Sequence, residues 1–538
     1  MFIEKLLKIM SAKAASCSSR SLLWTRSLTL FALGFLLFAA SAGLHAAAIF
    51  YVDSHWTGAQ SGSAAQPWTY LSSSAWTSIN NALASGNVTV YFSARPASSD
   101  TDDVYDTNGD GIQDGIDLSK RSDTGGSVLT LDGNSQYNTS AASPSWLSYS
   151  GKSKCRIGYL TAQNASHVKY SNITIHGFHV ATVDGNKEIG ICGDNWVIEN
   201  CECEHTSTSS NGPGILLVPT SDSAHEGSSY YAPACTNITI RNNIVHDTYG
   251  EALYIGGGGV MDGTAAAGYP SHSYVTIESN IVYNAGTWGA QGDGIDVKGG
   301  IRYLTIRANE IYNINSTAGV RAIVVQGQLA GAAQTTIVER NRIHDCAAIE
   351  DAAIAVVNSW GTPQGVTIRN NLIYNINGPS GASGIKVYDS QDAVRIYNNT
   401  ISSCAASGIL VLSGPQVVVM NNLVFGNNSG GSQVSLSASS VQCDYNAYGG
   451  NWGYSSPGGS SLNLSATALI STVVSAATGD YRLQAGSPVI GKATVLSGFS
   501  NDVASNLRGT SWDTGAYQHT SLVLQAPAAP TNFRVVGQ

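Results

Sequence analysis

Ile277-Glu278-Ser279-Asn280-Ile281 is one line of a pattern that recurs down the chain. Before it stand Ile198-Glu199-Asn200-Cys201 and Ile240-Arg241-Asn242-Asn243. After it come Ile306-Arg307-Ala308-Asn309, Val338-Glu339-Arg340-Asn341, Ile368-Arg369-Asn370-Asn371, Ile396-Tyr397-Asn398-Asn399 and Val419-Met420-Asn421-Asn422. Each is a short apolar strand running into an Asn turn. Aligned on the last Asn, from Asn243 onward, successive steps are 37, 29, 32, 30, 28 and 23 residues. A hydrophobic strand with a repeated turn at a period of roughly 20 to 50 residues marks a β-solenoid. In such a stack each Asn can bond to its equivalent in the next coil, and its side chain tolerates a left-handed corner. These Asn residues are therefore read as structural. Three strands with their turns consume roughly 20 to 24 residues, so the longer middle coils carry surplus chain that must loop outward. Loops over a rigid scaffold usually shape a cleft.

Composition agrees with stacked strands. The chain has 538 residues, 43% of them hydrophobic and only 12% charged, so it can bury a large core under a surface of Ser, Thr, Asn and Gly. A net charge of −9 argues against a nucleic-acid partner, which wants a basic surface. Residues 1–48 read as a secretory signal: Lys5, Lys8, Lys13, Arg20 and Arg26 lead an apolar run from Leu28 to Ala40, and Ala46-Ala47-Ala48 supplies small residues for cleavage. The apolar run is short for a bilayer span. The expectation is a secreted or periplasmic monomer with no membrane association after cleavage. Beyond Cys17 lie Cys155, Cys192, Cys201, Cys203, Cys235, Cys346, Cys404 and Cys443. Disulfides and buried thiols are both open to them, and regular zinc-type pairs are missing.

Residues 49–171 form a lead-in. Trp76-Thr77-Ser78-Ile79-Asn80-Asn81-Ala82-Leu83 reads as a short helix and Val88-Thr89-Val90-Tyr91-Phe92 as an alternating strand. Between them and the repeats, residues 106–117 match an EF-hand-type loop. Asp106, Asn108 and Asp110 take its positions 1, 3 and 5, and Gly111 takes the turn. Ile112 offers its carbonyl, and Asp114 and Asp117 complete the set. This spacing wraps oxygens around Ca2+, and the expected role is structural. Residues 172–520 hold the repeats and a closing segment, and 521–538 an Ala/Pro-rich tail.

Chemistry is sought in Gly292-Asp293-Gly294-Ile295-Asp296-Val297-Lys298, where charges gather in an otherwise charge-poor chain. Ile295 and Val297 point one way, Asp296 and Lys298 the other. Aligning the inward pairs sets Gly250-Glu251-Ala252-Leu253-Tyr254-Ile255-Gly256 above this strand and Val320-Arg321-Ala322-Ile323-Val324-Val325-Gln326 below it. Three outward columns result: Glu251, Asp293, Arg321; Tyr254, Asp296, Val324; and Gly256, Lys298, Gln326. Lys386, Tyr388 and Asp389 lie further along the same face. A one-residue slip would flip the alignment. The plain alternative is a solvated charged face in which Lys298 pairs with Asp296.

The lead-in, the Gly250–Gly256 and Asp293–Lys298 strands, and the closing Gly479-Asp480-Tyr481-Arg482-Leu483 and Asp513-Thr514-Gly515-Ala516-Tyr517 resemble bacterial secreted right-handed parallel β-helix proteins of the pectate-lyase-like kind. The resemblance implies an all-β fold with an N-terminal capping helix, and an acidic polysaccharide as partner. It further implies a calcium-dependent polysaccharide lyase acting on a uronate glycan by β-elimination. In that reading Glu251, Asp293 and Asp296 hold the ion, Lys298 is the base, and Arg321 binds or stabilises charge. The two Asp neighbours would raise the Lys298 pKa and make it a poorer base. A glycoside hydrolase using Asp293 and Asp296 as acid and base, and a non-catalytic glycan-binding β-helix, are the alternatives.

Overall fold

The computed structural model describes residues 47–519 apart from several loop segments, the longest being 218–234 and 257–271. Nearly all of the expected leader and the whole 521–538 tail lie outside the described residues.

Three parallel sheets stack side by side. Among the described residues, sheet I stacks 13 parallel strands from Ala48–Val52 to Val441–Asp444, with Ser145–Ser148 added antiparallel to Leu129–Asn138; sheet II has 13, from Asp103–Val104 to Leu462–Asn463; sheet III has 11, from Ile116–Asp117 to Val434–Leu436. The chain visits the sheets in turn, and the molecule is a right-handed parallel β-helix, as the repeats and the resemblance led one to expect. Strands from the lead-in, including Val88–Ser93 and Leu129–Asn138, belong to the same stack as the repeats. The helix Ser73–Leu83, capped by the Ser72 hydroxyl accepting from Ala75 N, buries Trp76, Ile79 and Leu83 in the core.

The core follows from the alternation. Ile240, Ile277, Ile306, Val338, Ile368, Ile396 and Val419 stand in one register column of sheet I, all fully buried. Each such side chain contributes about 1.5–3 kcal/mol by leaving water.

The Asn turn divides into two roles that the sequence reading had given to one residue. The last Asn of each repeat makes the ladder. Backbone N and Nδ2 of Asn280 both donate to Asn309 Oδ1 at 3.0 Å, and Asn309 does the same to Asn341 at 3.0 and 2.9 Å. The left-handed corner falls on the residue before it, at Asn242, Ser279, Ala308, Arg340, Asn370, Asn398 and Asn421. Only the ladder position demands an amide that is donor and acceptor at once, so the corner tolerates Ser, Ala and Arg. Beside the corner, Glu199–Arg241, Glu278–Arg307 and Glu339–Arg369 pair between neighbouring coils at 2.5 to 2.7 Å.

Among the described residues all eight cysteines carry thiols, seven of them buried. Burial pushes the Cys201 thiol up to about 11 and the Cys346 thiol up to about 12, which makes them inert core side chains.

Candidate functional site

Sheet III carries the charged strand. Its register sets Leu253 on Ile295 on Ile323, with Tyr254, Asp296 and Val324 as the column between, in agreement with the sequence alignment. The inward residues Leu253, Ile255, Ile295, Val297, Ile323 and Val325 are buried in the main core and lock that register. Just before the strands, Ala252 N donates to Asp293 O and Gly294 N to Arg321 O, both at 3.0 Å, so Glu251, Asp293 and Arg321 follow one another from coil to coil. Gly294 is required here: a Cβ would come within 2.6 Å of Ala322 O.

Two charged groups occupy this face. In the first, the Lys298 ammonium forms an ion pair with Asp296 and lies 4.9 Å from the Tyr254 ring centroid. Asp296 is fully buried, and its other oxygen accepts from Gln326 Nε2 at 3.0 Å. Glu251 is buried and Asp293 half-buried, with Asp293 Oδ1 accepting from Arg321 N at 2.6 Å. In the second, Arg321 donates from Nε to Asp351 at 2.8 Å and meets Glu350 at 2.8 Å. Lys386 Nζ lies 3.1 Å from Asp351 and 2.9 Å from the Tyr388 hydroxyl, which itself donates to Asp351. Asp389 Oδ1 accepts from Ser390 N at 2.9 Å. Between the groups lies a small apolar cluster of Val324, Ala352, Ala355 and Val357.

Electrostatics separates these residues by role. Burial, then the charge of Asp296, pushes the Glu251 carboxyl up to about 7. Burial, Asp296 and Glu251 raise the Asp293 carboxyl well above the usual range, against the opposing Arg321 N–H and guanidinium. Burial works against the Lys298 ammonium, yet Asp296, Tyr254 and Glu251 outweigh it and hold the amine above its ordinary range. Burial likewise opposes charge on Asp351, but hydrogen bonds from Arg321 and Tyr388 and the nearby cations lower its carboxyl. The face therefore joins two carboxyls that keep their protons far longer than usual to a cation that does not give up its own.

Glu350 and Asp351 were missed by the sequence alignment. It passed from the Val320–Gln326 strand to Lys386 without placing this coil, which is irregular: Val320 bridges Ile349, a step of 29, whereas Ile323 pairs with Ile354, a step of 31. The run Ile349-Glu350-Asp351-Ala352, two acids against an apolar strand, was the available signal.

The expected calcium ligands divide. In the 106–117 loop, Asp106 Oδ1 accepts from Asn108 N at 3.2 Å and Gly109 N at 2.6 Å. Asp114 accepts from Thr107 N at 2.7 Å and Asp117 from Ser119 N at 2.9 Å. Ile112 exposes its side chain, and Asp110 lies outside the described residues. Among the described residues no three His, Cys, Asp or Glu side chains converge as a metal centre requires. On sheet III the Lys298 ammonium sits on the Asp296 oxygen that an ion would take. Glu251, Asp293 and Asp296 as placed do not fit a calcium centre.

The family model "right handed beta helix region" matches residues 232–448. Among solved structures, the chain is similar to a GH136 lacto-N-biosidase from Eubacterium ramulus, at 11% identity over 82% of this chain and 74% of that one, with a TM-score of 0.35. It is also similar to the surface protein and adhesin PfbA of Streptococcus pneumoniae, at 12% identity over 73% of this chain and 94% of that one, with a TM-score of 0.29. No curated protein matches the chain.

Proposed function

We propose that the outward face of sheet III around Asp293 and Glu251 hydrolyses a glycosidic bond by carboxyl acid–base chemistry. The observation that carries this reading is geometric: Glu251 and Asp293 follow one another in neighbouring coils beside the fully buried Asp296 and its Lys298 partner, and burial with the Asp296 charge pushes Glu251 up to about 7 and raises Asp293. Acid–base catalysts work best when their proton affinity sits near the working pH. Asp293, half-buried and holding its proton, donates it to the oxygen of the leaving sugar. Glu251, which straddles neutrality, takes a proton from the attacking water. The hydroxyl forms the new bond to the anomeric carbon as the old C–O bond breaks, so one water is added. The Asp296–Lys298 pair sets the local field: its carboxylate holds the two carboxyls high, and its ammonium is fixed in place.

Uronate β-elimination with Lys298 as base needs that amine uncharged. The ion pair with Asp296 works against it, and this favours hydrolysis over the lyase expected from the resemblance. The test is a panel of neutral and uronate-containing polysaccharides incubated with purified protein. Hydrolysis releases reducing ends without ultraviolet-absorbing unsaturated sugar, and Asp293→Asn abolishes it. Unsaturated product would overturn the reading in favour of elimination.

A further inference from the structure

We propose that the N-terminal end of the same face holds a sugar-binding pocket, a distal subsite for an extended glycan; the inference rests on the glycan-cleaving reading above. A cavity of about 430 Å³ opens there, between Tyr70, Tyr105, Tyr159 and Lys120 on one side and the 107–117 loop, from Thr107 to Asp117, on the other. Its volume is that of a small-ligand pocket. Its chemistry suits sugar recognition, with the Tyr70 and Tyr159 rings for C–H faces and the Lys120 ammonium for hydroxyls.

The walls are fixed by the backbone. A Cβ on Gly115 would come within 2.2 Å of the Tyr159 ring, so glycine at this position lets the ring lie where it does. The Tyr105 hydroxyl accepts from Leu71 N at 3.1 Å, and one oxygen of Asp117 accepts from Ser119 N at 2.9 Å. Tyr70 stands at the rim, 45% exposed.

Register ties this pocket to the acid–base pair. Asp117 pairs with Thr161, Thr161 with Gly190, Gly190 with Leu216, Leu216 with Tyr254, and Tyr254 with Asp296. At ~4.8 Å per strand, these steps put Asp117 and Asp296 ~24 Å apart in one outward column. The residues between them in that column carry no charge. A glycan laid along the helix axis would reach both ends, and a short one would reach only one.

The experiment uses full-length protein and an immobilised series of neutral and uronate-containing oligosaccharides, from disaccharides to octasaccharides. Wild type captures octasaccharides more tightly than trisaccharides. Tyr70→Ala weakens octasaccharide capture about tenfold, the worth of one aromatic contact, and erases the length dependence. Lys120→Met, also at an exposed position, weakens it in the same direction, and unchanged melting temperatures confirm intact folds. Length-independent capture by wild type, or capture by both variants equal to wild type, overturns the inference. The two readings fail separately. Tyr70-dependent capture with no cleavage of any glycan sinks the hydrolase and leaves the pocket. Cleavage with capture indifferent to Tyr70 does the reverse.

Discussion

Replacing Glu251 with Gln should stabilise the protein at alkaline pH while destroying its activity. The wild-type carboxyl moves from an ordinary 4.5 to about 7 on folding, because burial and then Asp296 disfavour its charge. A group whose proton affinity rises on folding contributes stability that is complete below its unfolded value and is lost as pH climbs through its folded value. The difference between 4.5 and about 7 is worth about 3 kcal/mol, lost between roughly pH 4.5 and pH 8. Gln keeps the shape and has no proton to lose. Glu251→Gln should therefore match wild type near pH 4 and exceed it by about 3 kcal/mol above pH 8. Asp293 adds to the effect, since Glu251 is one of the groups that raise its carboxyl. Denaturant titrations of both proteins at pH 4.5, 7 and 9 measure the difference. A gap that stays constant with pH would refute the burial argument on which the site's chemistry depends.

Three further outcomes follow from the same geometry. Lys298→Met leaves the fully buried Asp296 without its cation and should cost about 3–5 kcal/mol, most of it recovered when Asp296→Asn is added; equilibrium unfolding of the single and double variants decides this. Asn309→Ala removes bonds to Asn280, Asn341 and Ile277 O in the buried ladder and should cost at least about 3 kcal/mol, against near neutrality for Ala308→Ser at the neighbouring corner. For the 106–117 loop we propose calcium binding: saturating calcium should stabilise wild type by about 2–3 kcal/mol at a hundredfold excess over Kd, and Asp110→Ala should lose that gain, with equal responses counting against the site.

Much of this architecture is legible in the chain because solenoids write their register into sequence. An Asn that must be donor and acceptor in every coil cannot vary freely, so Asn243 to Asn422 mark the coils directly. The inward pairs Leu253/Ile255, Ile295/Val297 and Ile323/Val325 then set the outward columns in the register observed. What alternation cannot convey is what lies over a face. Asp296 is outward by register and yet fully buried, and that burial is what drives Glu251 and Asp293 upward and ties down Lys298. A lysine just after two aspartates reads equally as base or as counter-ion; only its contact with one carboxylate tells them apart. Glu350 and Asp351 were hidden for another reason, since their coil is irregular, its bridge at Ile349 and its strand pair at Ile354 lying two residues out of step.

The most direct test of the central claim is the pH–rate profile and product analysis of wild type, Glu251→Gln and Asp293→Asn on the polysaccharide that wild type degrades best. The account predicts reducing ends without unsaturated sugar, and a rate that rises with pH through about 7 as Glu251 becomes available as base. Each single variant should lose about 10²–10⁴-fold in kcat. An ultraviolet-absorbing product, or a Glu251→Gln protein with wild-type turnover and an unchanged profile, would contradict it.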